Sequence, residues 1–351
     1  MNIKLSFYPI LLLLLCVFVA CRTEQAKTEI QLPDNTKVLL LDSSSAAKTI
    51  VKDDVEHFFD KITPVDMIIQ MGKEYPDSTS RELILEDYKK FIQEDVLNFT
   101  QDETDFLALI LSEVYELCQK ADIKYFPAEI KLIKTHGEHY GYDTYYTREN
   151  VIVIPKQALK KKESDVFLKV LLHEISHIVT RLHPTLKTEL FASIGFTKIA
   201  QPLVITDSLR QRLLTNPDGI ELNWVTQLTI SNGQKVTAMP LIYANETRYQ
   251  KGKKEFFNYM DFNFFEVIPS QDSQSYEVLT IGNQQKSTLN TEGINDLFQQ
   301  KLNTDYIIHP DEIIADNFSI MVFSMKNPKS LERYTEGGKK LIEKIKTVIS
   351  R

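Results

Sequence analysis

Cysteine is scarce in this chain, with three residues in 351. Cys16 and Cys21 fall in an N-terminal apolar stretch, which leaves Cys118 alone in the body and excludes a disulfide-stapled scaffold. Cys118 sits in the helical pattern LSEVYELCQK and is expected as a small buried apolar side chain. A positive excess is missing too. The 41 basic and 48 acidic side chains sum to −7, so no global basic field draws nucleic acid, and none is expected as a partner. No internal repeat is visible, and 11 glycines are far too few for a collagen-like chain. A chain 43% hydrophobic and 25% charged is not disordered and can bury a sizeable core. Its length suggests two domains, or one domain carrying a large insertion.

The one long apolar run is N-terminal. Residues 1–21 read MNIKLSFYPILLLLLCVFVAC, with Lys4 ahead of a stretch from Leu5 to Ala20 that Ser6 and Pro9 interrupt. Its length and the small residue before Cys21 fit a cleaved signal better than a membrane span. Phe18-Val19-Ala20-Cys21 resembles the lipobox of bacterial lipoproteins, with Phe18 in place of the usual leucine. The resemblance implies a signal peptide over 1–20 and a lipid on Cys21. It implies a body held to the membrane in the bacterial cell envelope, facing the periplasm or the surface. The plainer alternative is a secretory signal with an incidental cysteine.

Patterning divides the remainder. Residues 21–45 are polar, contain Pro33, and read as a tether with one short strand at Lys37–Leu41. Over 46–128 apolar residues recur at three- and four-residue steps, as in SRELILEDYKKFIQEDVLNF, which predicts helices packed as scaffold. Thr100 and Glu103 fit a capping box. The region 129–196 changes character, with β-like runs EIKLIK and VIVI, turns at Gly137 and Gly141, and a new helix from about Ser164. Residues 197–305 read as a β-rich insertion, with a hairpin at Asn232-Gly233 and strands in FNFFEVIP and SYEVLTIG. Residues 306–351 return to helix and close on the basic amphipathic GKKLIEKIKTVIS. The fold class is therefore α+β.

Chemistry concentrates in VLLHEISHIVTRLH. His173-Glu174-Ile175-Ser176-His177 matches H-E-x-x-H, which puts both imidazoles on one helix face a turn apart, able to converge on one ion. Glu174 points to a neighbouring direction and can reach a water on that ion. Chance produces the motif in about one such chain per hundred. Its apolar setting argues against chance, because two histidines and a glutamate buried there without partners would be costly. The bland alternative is a pair of hydrogen-bonded histidines beside an ion-paired glutamate.

At these residues the chain resembles the zincin metallopeptidases, which place a strand such as VIVI beside the active-site helix. The resemblance implies Zn²⁺ with a third protein ligand and an open position for water. His183 has the metzincin spacing, but Thr180 stands where that family has glycine. The gluzincins instead take a glutamate from a second helix, with a carboxylate four residues on that orients a zinc histidine. Glu312 and Asp316, in HPDEIIADNF, fit that pattern best. Glu189 is a weaker choice. Gluzincins add a Tyr or His that stabilises the oxyanion, for which His309, Tyr306 and Tyr243 are candidates. The resemblance covers the motif helix, the strand before it and the Glu312 helix. It implies a zincin-like core and a membrane-anchored peptidase in which Glu174 activates water against a protein or peptide substrate. An extended peptide would add to the VIVI strand. A non-peptide amide hydrolase fits the same motif. A lipoprotein that binds a partner on a zincin scaffold without proteolysis is the reading from another class.

Overall fold

Alternating apolar side chains build the first sheet. A computed structural model describes residues 28–161, 163–230, 233–253, 255–282, 286–289 and 302–351. Cys21, the signal region and Asn232 lie outside the described residues. Strands β1 (Glu29–Gln31), β2 (Lys37–Leu40), β4 (Glu129–Thr135), β6 (Val151–Pro155) and β5 (Tyr146–Arg148) lie side by side in that order, and β3 (Val96–Leu97) pairs with the far end of β4. β2, β4 and β6 are parallel, while β1 and β5 run antiparallel at the edges. The strand period of two sends Leu132, Ile152 and Ile154 to one face and Ile133, Val151 and Val153 to the other. Both faces are covered, which is why VIVI is apolar throughout.

Four helices cover the second face: α1 (Ser43–Thr49), α2 (Phe58–Lys61), α3 (Pro64–Met71) and α4 (Arg81–Glu94). The first face packs on α5 (Gln101–Lys120) and, beyond the short α6 (Lys156–Lys161), on α7 (Ser164–Leu182). The expected capping box opens α5. Thr100 Oγ1 accepts from the Glu103 N–H at 3.3 Å and Glu103 Oε2 accepts from the Thr100 N–H at 2.8 Å. Cys118 is buried on α5, and burial pushes its thiol pKa up. Within the described part of 21–45 the expected short strand is present as β2, but the rest is not tether. Ile30, Val38 and Leu40 alternate into the core, so residues 29–40 form a hairpin at the sheet edge, and α1 starts at Ser43.

After α8 (Pro184–Ser193) comes a second sheet of six strands, where the β-rich insertion is expected. Its order is β7 (Phe196–Lys198), β9 (Trp224–Thr229), β10 (Lys235–Ala244), β11 (Met260–Pro269), β12 (Tyr276–Val278) and β8 (Leu203–Val204), with short helices α9 (Asp207–Arg210) and α10 (Phe256–Tyr259) between strands. β9 and β10 form the predicted hairpin, and Gly233 adopts φ +83° at its turn. Two helices finish the chain. α11 (Pro310–Phe323) packs on α7, and α12 (Glu336–Ile349) buries Leu341, Ile342, Ile345 and Ile349 while packing on α8 and α11.

Two outcomes follow from these contacts. Thr100→Ala removes the α5 cap and should lower the unfolding free energy by about 1 kcal/mol in urea with an unchanged m-value. Asp66, on α3, is fully buried and accepts hydrogen bonds from Gln70 Nε2 and the Thr215 N–H, yet burial pushes its pKa up to about 7. The folded state therefore holds that proton more tightly than the unfolded chain. The resulting stabilisation is complete in acid and is lost as pH rises through about 7. The stability advantage of wild type over Asp66→Asn should accordingly fall between about pH 4 and 7 and stay level above that. A pH-independent difference would refute it.

Candidate metal centre

The centre forms where α7 and α11 cross. His173 and His177 lie one turn apart on α7, their ring centroids 4.7 Å from each other. Glu312 arrives from the first turn of α11, 139 positions after His173. His309 caps that helix through its ring, accepting from the Asp311 N–H at 3.2 Å, and Pro310 occupies the first helical position. Glu312 Oε2 then stands 3.1 Å from His173 Nε2 and 3.4 Å from His177 Nε2. Ligand atoms of the three residues lie within 4.8 Å of one another.

Neighbouring groups fix these side chains. His173 Nδ1 lies 2.9 Å from Asp316 Oδ1, and Thr304 Oγ1 donates to Asp316 Oδ2. Asn216 Nδ2 donates to Glu312 Oε1 at 2.7 Å. One turn beyond His177, the buried Arg181 donates to Thr147 Oγ1 and to the Pro217 and Asp218 carbonyls, and it pairs with Glu56. That guanidinium pins the loop carrying Asn216 and Asp218 to α7. Asp218 is itself buried, and its Oδ1 accepts from the Thr147 N–H and Oγ1, both at 2.6 Å. With Glu174 and His177 it forms a second group able to hold a cation.

Electrostatics show what the cluster needs. Burial disfavours a charged His173 ring, but hydrogen bonds to Asp316 and Glu312 outweigh it and hold its pKa well above the usual histidine range. His177 is raised by the same balance, chiefly through Glu312 and Asp218. Burial would raise Glu312, yet the charge of His177 and the hydrogen bond and charge of His173 hold it well below the carboxylate range. Burial, and then the Asp218 charge, push Glu174 up to about 8. Four carboxyl groups, Glu174, Asp218, Glu312 and Asp316, thus stand around two imidazoles. Among the described residues, neither ring nitrogen of His177 nor Glu174 Oε2 has a hydrogen-bond partner, although all are buried. Native interiors rarely leave such atoms unmatched. A cation among His173, His177 and Glu312 satisfies both the orphaned imidazole and the charge balance, so the residues present fit a metal ion.

Other candidates from the sequence separate clearly. Tyr306 lines the same cleft, with its ring stacked near His173 at 6.5 Å between centroids. Burial and the surrounding carboxylates, Glu312 first among them, hold its phenol pKa well above normal, so its hydroxyl stays a donor. His309 is not in the cleft. Both its nitrogens are spent on backbone, Nδ1 on the Asp311 N–H and Nε2 on the Glu221 carbonyl at 3.1 Å, so its expected catalytic role is withdrawn. Tyr243 packs on Phe265 in the core of the second sheet. His183 ends α7 against Tyr125, outside the ligand group, because Thr180 continues the helix where a glycine would turn it. Glu189 is exposed beside Arg351. VIVI, now β6, is paired by β4 on one side and β5 on the other, so no peptide can add to it. Asp218 and Asn216 escaped sequence reasoning, since Asn-Pro-Asp-Gly reads only as a turn.

No protein-family model, curated protein or solved structure matches the chain. Functional assignment therefore rests on the side chains themselves. In metal titrations of the purified protein, Glu312→Ala should lose far more affinity than His183→Ala. Asp316→Asn should weaken binding by about 10–100-fold. Equal losses for Glu312→Ala and His183→Ala would place the third ligand elsewhere.

Proposed function

We propose that this chain is a zinc-dependent peptidase with a zincin-like core, held in the bacterial cell envelope by lipid on Cys21. The observation that carries the reading is the convergence of His173, His177 and Glu312 from two helices, with both nitrogens of the buried His177 left without a hydrogen-bond partner among the described residues. Two imidazoles and one carboxylate form a donor set suited to zinc with an open position. Zinc bound there supplies Lewis acidity toward a carbonyl and lowers the pKa of water at the open position.

The chain's own residues supply the rest. Glu174 Oε2, buried and unpaired among the described residues, takes a proton from the attacking water and passes it to the leaving nitrogen. Tyr306 is the donor for the developing oxyanion, its phenol kept protonated beside His173. Asp316 holds His173 by Nδ1 and leaves Nε2 for the metal. Asn216 orients Glu312 through the oxygen turned away from the imidazoles.

Glu174→Gln should keep full zinc content and lose at least about 10²-fold in cleavage of an unfolded protein substrate. Tyr306→Phe should lower kcat by about 10²-fold with little change in KM. Retained turnover in Glu174→Gln would refute the role of Glu174. Zinc bound without cleavage of any peptide would turn the reading toward a partner-binding lipoprotein.

A further inference from the structure

The cleft over the centre holds about 1260 Å³, more than the roughly 300–1,000 Å³ of ordinary small-molecule sites. It has room for several residues of an extended chain. Its lining is acidic well beyond the metal-holding group. Glu138, Asp143, Glu255 and Asp305 are exposed on its walls, in addition to Asp218. Among the described residues, the lysine and arginine on the same lining are Lys169 and Arg333, and both are turned onto aromatic rings. Lys169 Nζ lies 4.1 Å from the Phe323 ring centre, and the Arg333 guanidinium lies 4.8 Å from that of Tyr334, to whose hydroxyl it donates. A divalent ion in the centre offsets only part of this negative charge. Walls of low dielectric concentrate such a field along the cleft.

A further observation points to a positively charged occupant. Tyr142 and Phe257 line the same cleft with 58% and 45% of their surface exposed, which leaves aromatic faces open to cations. Carboxylates together with open aromatic faces recognise ammonium and guanidinium groups, and they repel acidic chains.

We propose that the cleft selects cationic peptide segments, taking lysine and arginine side chains on either side of the bond to be cut. The inference rests on the peptidase reading of the same site. It is tested by binding, separately from turnover. Three labelled peptides of equal length, one Lys/Arg-rich, one neutral and one Asp/Glu-rich, are titrated by fluorescence anisotropy into zinc-loaded Glu174→Gln protein. The cationic peptide should bind at least about tenfold more tightly than the neutral one at low salt, and the advantage should shrink as salt rises. The double variant Glu255→Gln/Asp305→Asn should reduce that advantage severalfold at unchanged zinc content and melting temperature. Glu82→Gln, on the exposed side of α4, should leave it intact. Equal binding of the three peptides, or an advantage untouched by the double variant, overturns the proposal. The same peptides are then offered to the wild type. Selective binding with no cleavage of any peptide removes the peptidase reading and leaves charge selection standing. Cleavage of all three at similar kcat/KM does the reverse.

Discussion

Two imidazoles and a glutamate gathered at one largely buried helix crossing are the constraint on which the rest of the molecule depends. Each group alone would be costly there, because its polar atoms leave water without replacement. Together they relieve one another only in part. Glu312 and Asp316 both bond to His173, while His177, 3.4 Å from Glu312, remains without a hydrogen-bond partner among the described residues. The apolar packing of α7 on the first sheet and on α11 has to hold this incomplete arrangement in place.

Much of the surrounding polar structure holds that crossing. Lys187 pairs with Asp311 at 2.9 Å beside the capping ring of His309, which ties α8 to the start of α11. Gly219 is required for the same reason. A Cβ there would sit 2.1 Å from His309 Nδ1, so any side chain would displace the cap and with it the angle at which Glu312 enters. Arg181 performs the corresponding task from α7, drawing the 216–218 loop onto the helix so that Asn216 meets Glu312. A second polar cluster, in which His139 bridges Asp95 and Tyr146, fastens the loop between β4 and β5 that lines the cleft.

How much could be read beforehand depended on whether the signal was local. The H-E-x-x-H spacing, the Thr100 capping box, the Gly233 turn and the strand alternation each depend on a few adjacent residues, and each has the expected local form. Glu312 was legible through its spacing to Asp316, although only the folded chain brings it beside His173. His309 misled because a histidine ahead of Pro-Asp-Glu looks the same whether its ring faces substrate or caps a helix. The difference lies in Glu221 and Gly219, which are distant in sequence. Asp218 was hidden for the opposite reason. Its turn chemistry is plain, but nothing local shows that Thr147 and Arg181 will carry it into the cleft. In the hairpin at 29–40 the strand at Lys37–Leu40 is legible, whereas Glu29–Gln31 reads as tether because its one buried apolar residue, Ile30, lies between two polar residues that face outward.

The placement of Glu312 has a consequence for how the molecule is made. The two histidines leave the ribosome 139 and 135 residues ahead of the glutamate, with the entire second sheet in between. A nascent chain that has not yet reached α11 carries two of the three groups and lacks the Asp316 support for His173. The unfinished polypeptide therefore has no complete cage, and a cation can find all three donors only once nearly all of the chain has emerged.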